Sequence, residues 1–138
     1  MSSLQAFFAQ NVQSDIIEEF VVSERFKGED GKPIPWKIRA LTESENAEIR
    51  KSSTKRVKVK GQYVPELDHE EYVAKLIAAS VVFPDLKNAE LQKSYGVLGA
   101  EKLLRKMLLS GEYGKLAQKV QEINGFEDVN ELADEVKN

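Results

Sequence analysis

Cysteine is absent from the 138 residues, and histidine and tryptophan occur once each. Without cysteine there is no disulfide framework and no thiolate metal site. The single histidine, His69, follows Asp68 at the first turn of an expected helix and reads as a solvated surface residue. Long apolar runs are also missing, and none nears the roughly 18 residues that a membrane span needs. The opening MSSLQAFFAQNVQSD lacks the basic and continuous apolar segments of a secretory signal, so a cytoplasmic protein is expected. There is no Walker A loop and no G-x-G-x-x-G, and no serine sits in a nucleophile elbow. The carboxylate pairs Glu18-Glu19, Glu29-Asp30, Glu70-Glu71 and Glu127-Asp128 lie at turns or helix starts. Complementarity to the helix dipole accounts for the last two. No enzyme, metal or cofactor is expected.

What is present is ordinary in amount and uneven in distribution. With 41% apolar and 31% charged residues, the chain has the composition of one soluble domain large enough to bury a core. The net charge of −3 does not mark the whole as a nucleic-acid surface. Yet RKSSTKRVKVK, residues 50–60, holds six cations and no acid, whereas residues 122–138 hold six acids against Lys137. Such blocks are most often solvated faces. The basic run has serine and threonine for phosphate contacts but no aromatic residue for base stacking, so nucleic acid is not the favoured partner.

The periodicity predicts an α+β domain over 1–138, predominantly helical, with five to six helices and an N-terminal β-hairpin. Residues 1–17 form an arm with Leu4, Phe7 and Phe8 on one face of a helical turn or two. Residues 18–41 form the hairpin. Phe20, Val22 and Phe26 share a face in its first strand, and Ile34, Trp36, Ile38 and Ala40 share a face in its second. Residues 42–67 hold a weak helix, opened by a Thr42/Glu45 capping box, and a basic loop or loose hairpin around Gly61. Residues 68–126 are the helical core. A helix from the Asp68/Glu71 capping box is expected to run to Phe83 before Pro84, with Tyr72, Leu76, Ala79 and Phe83 in its stripe and Val73 and Ile77 widening it. Short helices follow after Asn88, after Gly99 and up to Asn124-Gly125. Residues 127–138 form an acidic last helix or tail.

The order of these features resembles the XkdN-like tail assembly chaperones of tailed phages and prophages of Gram-positive bacteria. VVSERFKGEDGKPIPWKIRALTESE, VVFPDLKNAELQKSYGV and LLRKMLLSGEYGKLAQKVQEINGF carry the resemblance, which spans about nine-tenths of the chain. The basic segment at 50–65 and the last ten residues match least. The resemblance implies a non-enzymatic protein that binds the phage tape measure protein and keeps it soluble until the tail tube assembles. It implies work in the bacterial host cytoplasm and absence from the finished virion. It also implies possible partners in a frameshift-extended form of the same protein and in the tail tube protein, with no membrane partner. Two readings compete with it: a small nucleic-acid-binding regulator using residues 50–60, and a structural tail component.

A helical domain holds an amphipathic partner helix through apolar positions that its own core does not use. Leu4, Phe7 and Phe8 on the arm, Val73 on the 68–83 helix and Leu109 beside Leu108 are the candidates for that contact. Arg50, Lys51, Lys55, Arg56, Lys58 and Lys60 are the candidates for a charged contact. For any one apolar position, simple burial in the core is the commoner role.

Overall fold

Trp36, Lys37, Ile38 and Arg39 alternate apolar and charged side chains, and this alternation places β2 (Trp36–Arg39) in the middle of a sheet. The computed structural model describes residues 2–12 and 16–126. In it, β1 (Ile17–Phe20) pairs antiparallel with β2, with Phe20 opposite Trp36 and Ile17 opposite Arg39. The expected hairpin is therefore present, with a long connection. Its first strand ends at Phe20 because Ser23 forms a turn: its hydroxyl accepts the Arg25 N–H at 3.0 Å. Val22 and Ser23 are both buried in that connection, so the expected strand face of Phe20, Val22 and Phe26 does not continue as a strand. A small inner loop then closes where the Ile34 N–H donates to the Phe26 carbonyl at 2.8 Å.

The third strand corrects a helix boundary. The helix α2 (His69–Ser80) stops three residues early, and Val81–Phe83 becomes β5, antiparallel to β2. β-branched Val81 and Val82 ahead of Pro84 favour the pleated conformation over a last helical turn. Phe83 thus leaves the helical stripe and stands half-exposed at the sheet edge. The buried residues of α2 are Ala74, Leu76, Ile77 and Ser80, with Tyr72 and Val73 packed beside them.

The capping residues set the helix starts. Thr42 and Glu45 form the expected capping box of α1 (Glu43–Ser52). Asp68 accepts the Glu71 N–H at 3.1 Å for α2, and Asn88 accepts the Leu91 N–H at 2.9 Å for α3 (Ala89–Ser94). The expected helix from Gly99 is α4 (Ala100–Met107), which ends before Leu108; α5 (Ser110–Ile123) begins beyond Leu109. At its far end the Phe126 N–H reaches the Gln121 carbonyl, the Gly125 N–H reaches Glu122, and Gly125 takes φ +74°, a Schellman ending. The helix or tail expected over 127–138 lies outside the described residues.

One face of the sheet is covered by α2 and α5. Trp36 and Ile38 pack with Leu76, Ile77, Leu103, Leu104, Leu116 and Val120 in a single cluster. Each such fully buried aliphatic side chain contributes roughly 1.5–3 kcal/mol. Polar ties fix α5 across the sheet. Lys119 pairs with Glu18 of β1 at 2.7 Å, and the Leu41 N–H donates to Asn124 Oδ1 at 2.6 Å. At the other end of α5, Arg25 reaches Glu112 through two nitrogens and also donates to the Met107 carbonyl at 2.9 Å.

Of the two forms expected for the basic segment, loop or hairpin around Gly61, the structure shows the hairpin. Thr54–Val59 and Gln62–Leu67 form β3 and β4, a two-stranded ribbon separate from the three-stranded sheet. Every residue of the ribbon is exposed except half-buried Val57. Its base is tied down by Lys55, whose ammonium lies 3.3 Å from both Asp68 and Glu71.

Two expectations follow. Ser80 is fully buried and its hydroxyl has no hydrogen-bond partner among the described residues. An unpaired buried hydroxyl costs roughly 1–3 kcal/mol, so Ser80→Ala should raise the unfolding midpoint in urea, and a fall would reveal a hydrogen bond at that site. The second concerns acid. The Arg25 guanidinium holds the Glu112 carboxyl down from its ordinary 4.5 to about 2. Arg39, then the Thr42 N–H, does the same for Glu45, also to about 2. Both pKa values are lower folded than unfolded, so their stabilisation is complete above the unfolded value and is lost as pH falls from about 4.5 toward 2. Glu45→Gln/Glu112→Gln should melt lower than wild type at pH 7 and lose less on acidification. Parallel melting-temperature curves from pH 7 to 2 would contradict this.

Candidate partner-binding surfaces

The arm carries the most exposed apolar side chains that the sequence pattern singles out. It folds as two short 3-10 turns, Gln5–Phe7 and Ala9–Asn11, held by the Asn11 side-chain amide donating to the Gln5 carbonyl at 2.8 Å. Leu4 is 69% exposed and Phe7 81%, and neither packs on the core. Phe8 is 41% exposed. Leu4 and Phe7 are thus left largely in solvent, and Phe8 is more than half covered. Three large apolar groups on one short polar segment are a contact waiting for a cover.

Val73 and Leu109 have different surroundings. Val73 is half-buried and lines a cleft of about 470 Å3 between α2 and the α4–α5 corner, with His69, Glu70, Arg105, Leu108 and Tyr113. It is therefore part core and part cleft wall. Leu109 is 59% exposed at the α4–α5 junction and is not part of that lining. Its backbone N–H donates to Glu112 at 2.9 Å, which turns its side chain out of the helical stripe as its position beside Leu108 suggests. The five apolar candidates thus occupy three places rather than one.

Some exposed apolar groups escape the sequence pattern. Leu98 is 83% exposed between Gly96 and Gly99. A leucine between two glycines, with charged Glu101 and Lys102 rather than apolar residues at i+3 and i+4, is the signal that marks it. The unexpected strand β5 adds Val82 and Phe83, both half-exposed. Phe83 borders an apolar cavity of about 210 Å3 with Phe26, Ile34, Trp36, Leu91 and Met107.

The six candidate cations divide in two. Arg50 lies 3.7 Å from Glu43, and Lys55 is bound to Asp68 and Glu71 at the ribbon base. Lys51, Arg56, Lys58 and Lys60 are exposed and form no ion pair among the described residues. The register places Arg56 and Lys58 on one ribbon face with Tyr63, and Val57 and Val59 on the other with Val64. His69 and Glu70 share the cleft, but no three metal-ligating side chains converge among the described residues. No helix among them is long and apolar enough to cross a membrane.

Known proteins share this arrangement. The model of the family described as phage XkdN-like tail assembly chaperone protein matches residues 4–137. The phage-like element PBSX protein XkdN of Bacillus subtilis (strain 168) is 32% identical over 120 residues, covering 85% of this chain and 81% of XkdN. The uncharacterized protein YqbN of the same strain is 30% identical over 132 residues, covering 94% and 88%. The crystal structure of YqbN superposes with a TM-score of 0.79 at 26% identity, covering 92% of this chain and 99% of that one. With a family match over nearly its whole length, the chain belongs to the phage XkdN-like tail assembly chaperones.

Proposed function

We propose that this protein binds the tape measure protein of its phage or prophage in the host cytoplasm and keeps it soluble until the tail tube assembles. It leaves before the virion is complete and performs no catalysis. Family membership supports a role in tail assembly. The single structural observation that carries the reading is the apolar arm. Leu4 and Phe7 stand largely in solvent and Phe8 is part exposed, although fully burying a large apolar side chain contributes roughly 1.5–3 kcal/mol. A partner with an apolar helical stripe supplies that burial, taking anchors at i, i+3, i+4 and i+7. The cleft beside Val73 and the exposed Leu109 offer further apolar contact for the same long partner.

Co-expression with the tape measure protein encoded in the same phage or prophage is the test. The wild-type chain should co-purify with it and raise its soluble fraction. Phe7→Ser/Phe8→Ser should keep the wild-type melting temperature, because neither ring belongs to the core, and weaken the complex at least tenfold by calorimetry. Unchanged affinity removes the arm from the account. A tape measure protein that stays insoluble and unbound beside wild type overturns the function.

A further inference from the structure

The two edges of the β3–β4 ribbon differ. Its turn, Lys60-Gly61, has φ of +52° and +83°, the sign pattern of a type I′ turn closing a two-residue hairpin. In such a hairpin the flanking pair, Val59 with Gln62, exchanges both backbone hydrogen bonds. Bonded and non-bonded pairs alternate from there. The ribbon base gives the same phase, since the Asp68 N–H donates to the Ser53 carbonyl at 2.8 Å. The non-bonded pairs are therefore Lys58 with Tyr63, Arg56 with Pro65 and Thr54 with Leu67. Their backbone groups point away from the ribbon. On the β4 edge, Pro65 removes the central donor. On the β3 edge, Thr54, Arg56 and Lys58 keep both N–H and C=O, and no described strand pairs with them.

We propose that the β3 edge receives a third, extended strand from a protein partner whose side chains alternate acidic and apolar. A strand added there sets its side chains beside Arg56 and Lys58 on one face and beside Val57 and Val59 on the other. Opposite charges across strands stabilise pairing and like charges oppose it. A second copy of β3 would bring arginine and lysine against arginine and lysine, and a second copy of β4 lacks the central donor. Nucleic acid would engage the cations and leave the edge donors unfilled. Charged residues and proline also serve to keep edges from pairing at random. The same charges that refuse a basic or apolar strand select an acidic one. This surface is separate from the arm, and tape measure binding through the arm neither requires nor excludes it.

The test uses the full-length protein, isotope-labelled, and an eight-residue peptide alternating glutamate and valine. A lysine–valine peptide and a short DNA duplex serve as rival probes. The glutamate–valine peptide should bind and slow amide exchange at Arg56 and Lys58 but not at Tyr63 or Leu67. Arg56→Glu/Lys58→Glu should shift preference toward the lysine–valine peptide by about tenfold, which is about 1.4 kcal/mol shared between two cross-strand charge pairs. Arg56→Pro removes an N–H that the ribbon itself does not use, so it should abolish peptide binding while the Val57 and Val64 amides stay protected. If that variant opens the ribbon, the charge-reversal variant decides alone. Absence of peptide binding, equal binding of both peptides, or binding without protection at Arg56 and Lys58 overturns the proposal. DNA binding alone does so too and makes the ribbon a phosphate-binding patch.

Discussion

A small antiparallel sheet of short strands with one apolar face gains its stability in water by covering that face. Here the face belongs chiefly to Trp36 and Ile38 of β2, and its cover is α2 and α5. Much else follows from that requirement. Strand β5 follows α2 directly, so one connection supplies both a cover helix and a third strand. Helix α5 is held across the sheet at both ends, by Arg25 at Glu112 and by Asn124 at the Leu41 N–H. Helix α4 supplies Leu103 and Leu104 to the same cluster. The N-terminal and C-terminal halves of the sequence therefore close one core.

That closure decides what is left for a partner. The arm and the ribbon lie outside the core and differ in chemistry. The arm offers aromatic and aliphatic side chains and no charge of its own over residues 2–12. The ribbon offers unpaired cations and an open backbone edge. On the proposed function, the chain holds a partner and later releases it. Segments on short turns and a solvated ribbon can rearrange without disturbing the core, which suits such a cycle.

Much of the fold is legible in the residues. Alternation around Trp36 and Ile38 marks the central strand, and Thr42, Asp68 and Asn88 mark three helix starts through side-chain acceptors that the structure uses. Asn124-Gly125 marks the end of α5. The misread places have a physical reason in common: local pattern met a choice made by tertiary pairing. Val81–Phe83 extends the apolar run of α2, and pairing with the free edge of β2 turns the local preference of its valines into a strand. The ribbon is weakly signalled because lysine, not asparagine, occupies the first left-handed position of its turn. The candidate surfaces were legible as residue types. Burial was not, since the same helical spacing that makes Val73 look spare also places it against the core. Leu98 carries no periodic signal at all.

Hydrogen–deuterium exchange on the free chain and on its complex with the tape measure protein tests the central claim most directly. Partner-induced protection should fall on residues 4–8, and exchange across β2 and α5 should stay unchanged, because their core is already complete. Protection spread through β2 and α5 with none at the arm would show that the free protein is not closed and that the arm is not what the partner covers.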